Sequence, residues 1–231
     1  MSSKVHVLTH PIINERLSKL RQSGTSSKDF REVWTVFREL YPTADVFGQD
    51  IHNISLLLGF EASRDLQEET FVGQTPISEF TGARIKPKIG LTPVLRAGLG
   101  MTDALLTLFP NAPVYHLGIF REKVSLQPVE YYSKLPPVPT VDTVFLLDPL
   151  IATGGTACAA MHMILDWGIP VNQIKLLCVL ASQDGLKHVQ EEYPGLEVWA
   201  AAVDPQLTKD GLIAPGLGDT GDRLYNTLKS D

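Results

Sequence analysis

The sequence predicts an α/β fold, a parallel sheet covered by helices on both faces, and three observations carry that prediction. Several short runs are apolar at nearly every position, as strands buried on both sides must be. Between them lie segments with helical spacing of apolar residues, closed by glycine and proline. The length, 231 residues, suits one substantial domain, read here as residues 1–231.

Taken in order, "HPIINERLSKLRQSGTSSKDFRE" (10–32) reads as a helix, a linker and the start of a second helix, and "EETFVGQTPISEF" (68–80) as a hairpin or flap. "KIGLTPVL" (88–95) is a strand, "LGMTDALLTLF" (99–109) a helix and "APVYHLGIF" (112–120) a strand. The proline-rich "KLPPVPTVD" (134–142) is a loop. "VDTVFLLD" (141–148) is a strand and "TACAAMHMILDW" (156–167) a helix. Its predicted apolar face is Ala157, Ala160, Met161, Ile164 and Leu165, and Gly168 and Pro170 stop it. "IKLLCVLAS" (174–182), "DGLKHVQEEY" (184–193) and "LEVWAAAVD" (196–204) continue as strand, helix, strand.

Composition narrows the function classes. A net charge of −6 argues against a nucleic-acid surface, and no apolar run reaches the about 20 residues that span a bilayer. The N-terminal residues lack the apolar core and cleavage site of a signal peptide, so the expected location is the cytoplasm. Cys158 and Cys178 lie in apolar segments without metal-like spacing and are expected to be reduced core residues. No GxxxxGK[ST] loop occurs. "GLGDTG" (216–221) fits GxGxxG literally but stands too near the end to open a dinucleotide-binding unit.

The chemistry concentrates in "LLDPLIATGGTA" (146–157). An apolar strand ends in Asp148, and a Thr-Gly-Gly-Thr turn then opens a helix. Amides of a glycine turn at a helix N-terminus form an anion site, and Thr153 and Thr156 add hydroxyls suited to a phosphate monoester. Asp148 is placed to accept from ribose hydroxyls, so the pair suggests a sugar phosphate; a merely structural polar turn fits the same residues. Open parallel sheets bind ligands at the carboxyl ends of their strands, where this turn would lie. Arg96 in "VLRAGLGM" (94–101) and Arg121 in "GIFREK" (118–123) also fall at predicted strand ends, where a guanidinium can grip pyrophosphate bidentately. No Ser/His/Asp or Cys/His set is apparent, and no histidine is assigned to catalysis.

Those three segments and "GLIAPGLGDTGDRLYNT" (211–227), in this order, resemble the uracil phosphoribosyltransferases, and the resemblance covers nearly the whole chain. It implies a type I phosphoribosyltransferase fold, with a small base-binding hood beside the parallel sheet. The implied substrates are uracil and phosphoribosyl pyrophosphate, and the products uridine monophosphate and diphosphate. Ribose and 5′-phosphate would be held by Asp148, Pro149, Leu150, Ile151, Ala152, Thr153, Gly154, Gly155 and Thr156. Arg96 and Arg121 would hold the pyrophosphate with Mg²⁺, which arrives with the substrate rather than on a dedicated protein ligand set. Uracil would meet main chain at Ile213 and the turn Gly218, Asp219 and Thr220, with Asp219 also reaching the phosphoribosyl substrate or its metal. Asp148, Arg121 and Asp219 are thus the expected catalytic residues. A homodimer or homotetramer and a GTP effector are implied in the same way.

Three departures from the family pattern stand out. Leu212 replaces an aromatic residue in the uracil segment. The phosphate loop reads "DPLIATGGT", where Met-Leu and a final serine are common, though Thr156 keeps the hydroxyl. About nineteen residues, 33–51, interrupt a helix that is otherwise continuous, and Trp34, Phe37, Tyr41 and Phe47 give them a heavy apolar load. That segment is expected to be poorly ordered or to form a partner surface, or else to be a retained intron. Leu212 and the insertion leave open a second reading, a regulatory paralogue that binds the phosphoribosyl substrate or a nucleotide without turnover.

Overall fold

The computed structural model describes residues 4–23, 50–121 and 128–227. In chain order its elements are β1 (Lys4–Val7), α1 (Pro11–Arg21), α2 (Asp50–Ala62), β2 (Glu68–Gln74), β3 (Glu79–Ile85), β4 (Ile89–Leu95), α3 (Leu99–Leu108) and β5 (Leu117–Arg121). There follow β6 (Pro128–Ser133), β7 (Thr143–Leu147), β8 (Leu150–Ile151), α4 (Gly155–Trp167), β9 (Ile174–Ser182), α5 (Gln183–Glu192), β10 (Glu197–Asp204), β11 (Gln206–Leu207), β12 (Ile213–Ala214) and α6 (Thr220–Tyr225).

The main sheet runs β1-β10-β9-β7-β4-β5-β6, and β8 adds to β9 beyond the end of β7. Every neighbouring pair is parallel except β5–β6. All nine residues of β9 and all five of β7 are buried. Successive side chains divide between two cores, as a pleat requires. Phe145 and Leu147 join Leu177 and Val179 under α1, α2 and α3, while Val144 and Leu146 join Leu176 and Cys178 under α4 and α5. Helices therefore cover both faces, as the apolar runs predict.

Several elements depart from the sequence reading. The strand expected over 112–120 begins at Leu117, with a single bridge from Val114 to Leu91 before it. The edge strands β1 and β6 and the two-residue β8 were not anticipated; their mixed or very short runs carry no two-sided apolar signal. Of the predicted apolar face of α4, Ala157, Ala160, Met161 and Ile164 are buried, but Leu165 is only half-buried, and Trp167 is buried instead, its indole N–H donating to Pro136 O at 2.7 Å. Gly168 closes α4 in the left-handed region (φ 114°), as a helix C-terminus favours. The hairpin β2–β3 forms its own two-stranded sheet. Both cysteines are buried and free.

Residues 33–49 of the apparent insertion lie outside the described residues. Its last two, Asp50 and Ile51, are buried at the start of α2, where Asp50 accepts from Arg16 Nη1 at 3.2 Å.

The C-terminal segment is tied down by two arginines. Arg21, at the end of α1, donates to both Asp204 carboxylate oxygens at 2.6 Å and to Gly216 O at 2.9 Å. Asp204 also accepts from Gly216 N–H at 2.9 Å. Reciprocally, Arg223 of α6 donates to Leu20 O, to Leu217 O at 2.7 Å and to Gln22 O at 2.6 Å. Burial pushes the Asp204 carboxyl up, but the bonds from Arg21 and Gly216 and the Arg21 charge outweigh it and leave it below the usual carboxylate range. A depressed folded-state value adds stability above the unfolded value, about pH 4, which is lost as pH falls through the folded one. Arg21→Ala is therefore expected to cost about 2 kcal/mol at pH 7, the scale of hydrogen bonds to charged groups. In urea unfolding, the gap from the unsubstituted chain should narrow only below about pH 4.

Candidate functional site

A cavity of about 600 Å³ opens at the carboxyl ends of β4, β5 and β7, walled on the far side by the start of α6. Its lining includes Arg96, Ile119, Tyr131, Asp148, Thr156 and Asp219. The fold puts it there for a simple reason: strands apolar on both faces release polar side chains only where they end.

β7 ends at Leu147 and the next residue is Asp148. The chain then passes Pro149, whose carbonyl accepts from Val179 N–H and Leu180 N–H at 3.0 Å, and pairs Leu150 and Ile151 beside Leu180 and Ala181 of β9. Ala152 and Thr153 lead into Gly154, in the left-handed region (φ 85°), where a Cβ would also sit 2.8 Å from Gly185 O. Gly155 opens α4, so unfilled helical N–H groups face the turn, as an anion site requires.

The turn is shaped from behind by residues the sequence reading did not select. Ser182, the N-cap of α5, accepts from Gly185 N–H at 2.8 Å and donates to Ala152 O. His188 Nδ1 lies 2.8 Å from Thr153 O; a carbonyl only accepts, so Nδ1 carries the proton. A Cβ on Gly185 would come within 2.2 Å of Ala152 O, so that position needs glycine. Ser182 was visible in principle as a capping serine after a strand; a lone histidine on an amphipathic helix gives no such signal.

Asp148 is only 7% exposed, and its Oδ2 has no hydrogen-bond partner among the described residues. Burial pushes its carboxyl up to about 7, opposed in part by a backbone hydrogen bond from Leu150. Thr220, 2% exposed and also on the cavity wall, has an equally unpartnered Oγ1. Of the six buried side-chain polar atoms without a partner among the described residues, these are the two that belong to residues lining the cavity.

Arg96 lies on the wall but is not a free strand-end cation. Its Nη2 donates to Asp222 Oδ1 at 2.9 Å, its Nη1 to Thr227 Oγ1 at 3.2 Å, and its carbonyl accepts from Tyr225 OH at 3.3 Å. The sequence reading missed this clamp because Asp222 lies 126 residues away along the chain. Arg121 closes β5 opposite Pro128, and its side chain lies outside the described residues. Asp219 caps α6 by accepting from Asp222 N–H at 2.8 Å, after Gly218 in the left-handed region (φ 77°). Ile213 is buried in β12, paired with Leu207; it and Gly218 belong to the segment that brings Asp219 and Thr220 to the cavity, outside its lining. Leu212, at the departing position, is about half exposed. Among the residues not foreseen, Ile119, Phe120 and Tyr131 complete the wall.

Comparison with known proteins bears on the chain as a whole. Residues 7–227 match the family model described as uracil phosphoribosyltransferase. The chain is 41% identical over 226 residues to the uracil phosphoribosyltransferase of Desulfitobacterium hafniense, covering 97% of this chain and 99% of that one. It is 39% identical over 225 residues to the protein of the same name from Roseiflexus, with the same coverage. Among solved structures, a protein from Aquifex aeolicus superposes with a TM-score of 0.81 at 32% identity, covering 96% of this chain and 97% of that chain. A structure from Giardia lamblia, described as APRTase, reaches a TM-score of 0.50 at 11% identity over 75% of this chain and 87% of its own; it shares the fold.

The raised Asp148 carboxyl has a measurable consequence for the ligand-free protein. A group whose folded value lies above its unfolded one lowers stability as pH rises between the two. Asp148→Asn is therefore expected to raise the unfolding midpoint at pH 8, by the equivalent of a few kcal/mol, with the difference vanishing below about pH 4. Thermal unfolding followed across that range checks it.

Proposed function

The chain belongs to the uracil phosphoribosyltransferase family, and from that premise we propose how its residues divide the work of the reaction. The enzyme, a pentosyltransferase of pyrimidine salvage, joins uracil to 5-phospho-α-D-ribose 1-diphosphate and forms uridine monophosphate and diphosphate. The observation that carries the residue assignment is the pair of unpartnered buried groups, Asp148 Oδ2 and Thr220 Oγ1, on a cavity flanked by the glycine turn.

The amides of Gly154, Gly155 and Thr156, with the hydroxyls of Thr153 and Thr156, take the 5′-phosphate. Asp148, beside them, accepts from the ribose hydroxyls. Arg96 and Arg121 hold the diphosphate; for Arg96 this means exchanging or sharing its bond to Asp222. The main chain around Ile213, Gly218, Asp219 and Thr220 receives the base. N1 of uracil then forms its bond to C1 of the ribose as the bond from C1 to diphosphate oxygen breaks, and the N1 proton passes to the leaving diphosphate or to water. Charge grows on the leaving oxygens and on an oxocarbenium-like ring, so the protein's contribution is positioning and electrostatic stabilisation by groups already in place. Asp148 and Asp219 are hard oxygen donors on one wall, which suits Mg²⁺ brought with the substrate. Held there, the ion would supply positive charge to offset the negative charge developing on the leaving diphosphate.

Cytoplasmic residence, a GTP effector and a homodimer or homotetramer complete the reading. Self-association has physical support in the β2–β3 hairpin, which exposes Phe71, Val72, Ile77 and Phe80; such a patch is characteristic of an interface. Ile77→Asp with Val72→Asp is expected to shift the chain to a smaller species in sedimentation velocity.

The decisive assay is uridine monophosphate formation from uracil and phosphoribosyl pyrophosphate with Mg²⁺. The intact chain should turn over, and Asp148→Asn should lose about 100-fold or more in kcat/KM while remaining folded. Substrate binding without turnover by the intact folded chain would replace this reading with the regulatory one.

A further inference from the structure

A second cluster of ligating side chains stands apart from the cavity, where α4 meets α5 behind the glycine turn. Cys158, His188 and Glu192 each offer one ligand atom, and these atoms all lie within 4.8 Å of one another. The reaction described above uses neither Cys158 nor Glu192, and His188 enters it only through its hydrogen bond to Thr153 O. Cys158 is buried on α4, while His188 and Glu192 stand one helical turn apart on α5, both about half exposed.

The histidine is already set for coordination. Its Nδ1–H is committed to Thr153 O at 2.8 Å, so in the neutral ring Nε2 is the nitrogen left to ligate, and Nε2 lies 3.3 Å from Glu192 Oε2. Metal-bound histidines are oriented in this way, one ring nitrogen donating to a carbonyl and the other ligating. Metal–ligand bonds of about 2.0–2.2 Å in a tetrahedral site place nitrogen and oxygen about 3.3–3.5 Å apart, the spacing found here without metal. The Cys158 sulfur, presented by a helix whose backbone at that residue accepts from Tyr193 OH at 3.0 Å, supplies the third corner.

We propose that Cys158, His188 and Glu192 form a binding site for a borderline divalent cation of the zinc class, with water in the fourth position. A sulfur, nitrogen and oxygen set selects such an ion over Mg²⁺ or Ca²⁺, which take oxygen ligands. The site is thus chemically distinct from the hard-oxygen wall of the cavity, and it does not rest on the reading of that cavity. As the metal–sulfur bond forms, the thiol proton leaves to water. The bound ion cross-links α4 to α5.

Co²⁺ added to the reduced, tag-free chain serves as the spectroscopic probe. A thiolate-to-cobalt charge-transfer band in the near ultraviolet, saturating at one equivalent and erased by Zn²⁺, is the expected result. Cys158→Val should abolish the band, and His188→Ala should weaken binding about 10- to 100-fold or more. Zn²⁺ should raise the unfolding midpoint of the unsubstituted chain and leave that of Cys158→Val unchanged. His188 is exposed, so its variant gives a folded test even if the cysteine variant does not fold. Absence of the band in the unsubstituted chain, or an equal band and affinity in folded His188→Ala, would overturn the proposal.

Discussion

A parallel sheet buried on both faces admits few polar side chains along its strands, so its chemistry collects at one edge. β7 and β9 are buried throughout, and β4 carries six buried residues out of seven. The first acid that β7 presents is Asp148, one residue past its end. Adjacent parallel strands terminate in a row, which sets Arg96 after β4 and Asp148 after β7 on the wall of one cavity. The location of the site is therefore a consequence of how the core is built. Asp148 bears the energetic consequence, since a carboxyl left buried without a full set of donors resists ionisation.

One wall of that cavity comes from the C-terminal segment, which the sheet alone cannot position. Here the two arginines act as reciprocal ties. Arg21 reaches from α1 to Gly216 and, through Asp204, to the end of β10; Arg223 reaches from α6 back to the carbonyls at the end of α1. The last carbonyls of a helix lack internal partners, and a guanidinium has enough donors to satisfy two of them and Leu217 O together. With both ties made, Asp219 and Thr220 stand on the wall of the cavity.

The sequence made the central architecture legible, because the strands at 89–95, 143–147, 174–182 and 197–204 are largely apolar on both sides. The same rule hides the edges. "PVEYYS" in β6 is mostly exposed, and its antiparallel pairing with β5 has no counterpart in composition. The glycine turn was legible because acid, glycines and hydroxyls are adjacent in the chain. What supports it was not: His188 meets Thr153 across 35 residues, and Asp222 meets Arg96 across 126. Periodicity reports which face of an element is apolar, but not which polar side chain crosses to another element. Leu165 shows the same limit at smaller scale, since helical spacing admits it to the face that Trp167 occupies.

Those crossings matter because they fix the direction of the turn's peptide planes. In a planar trans peptide the C=O and the following N–H point to opposite sides. Ser182 holds Ala152 O toward α5, and His188 holds Thr153 O the same way. The N–H groups of Thr153 and Gly154 must then point away from α5. A helix N-terminus alone offers amides in an approximate direction; two clamped carbonyls fix that direction. Gly185 belongs to the same device, because any side chain there would displace Ala152 O and rotate the peptide. An anion then meets donors that need no reorganisation, the condition under which hydrogen bonds contribute most to holding charge. The helix behind the turn, α5, is for this reason as much a part of the site as the turn itself.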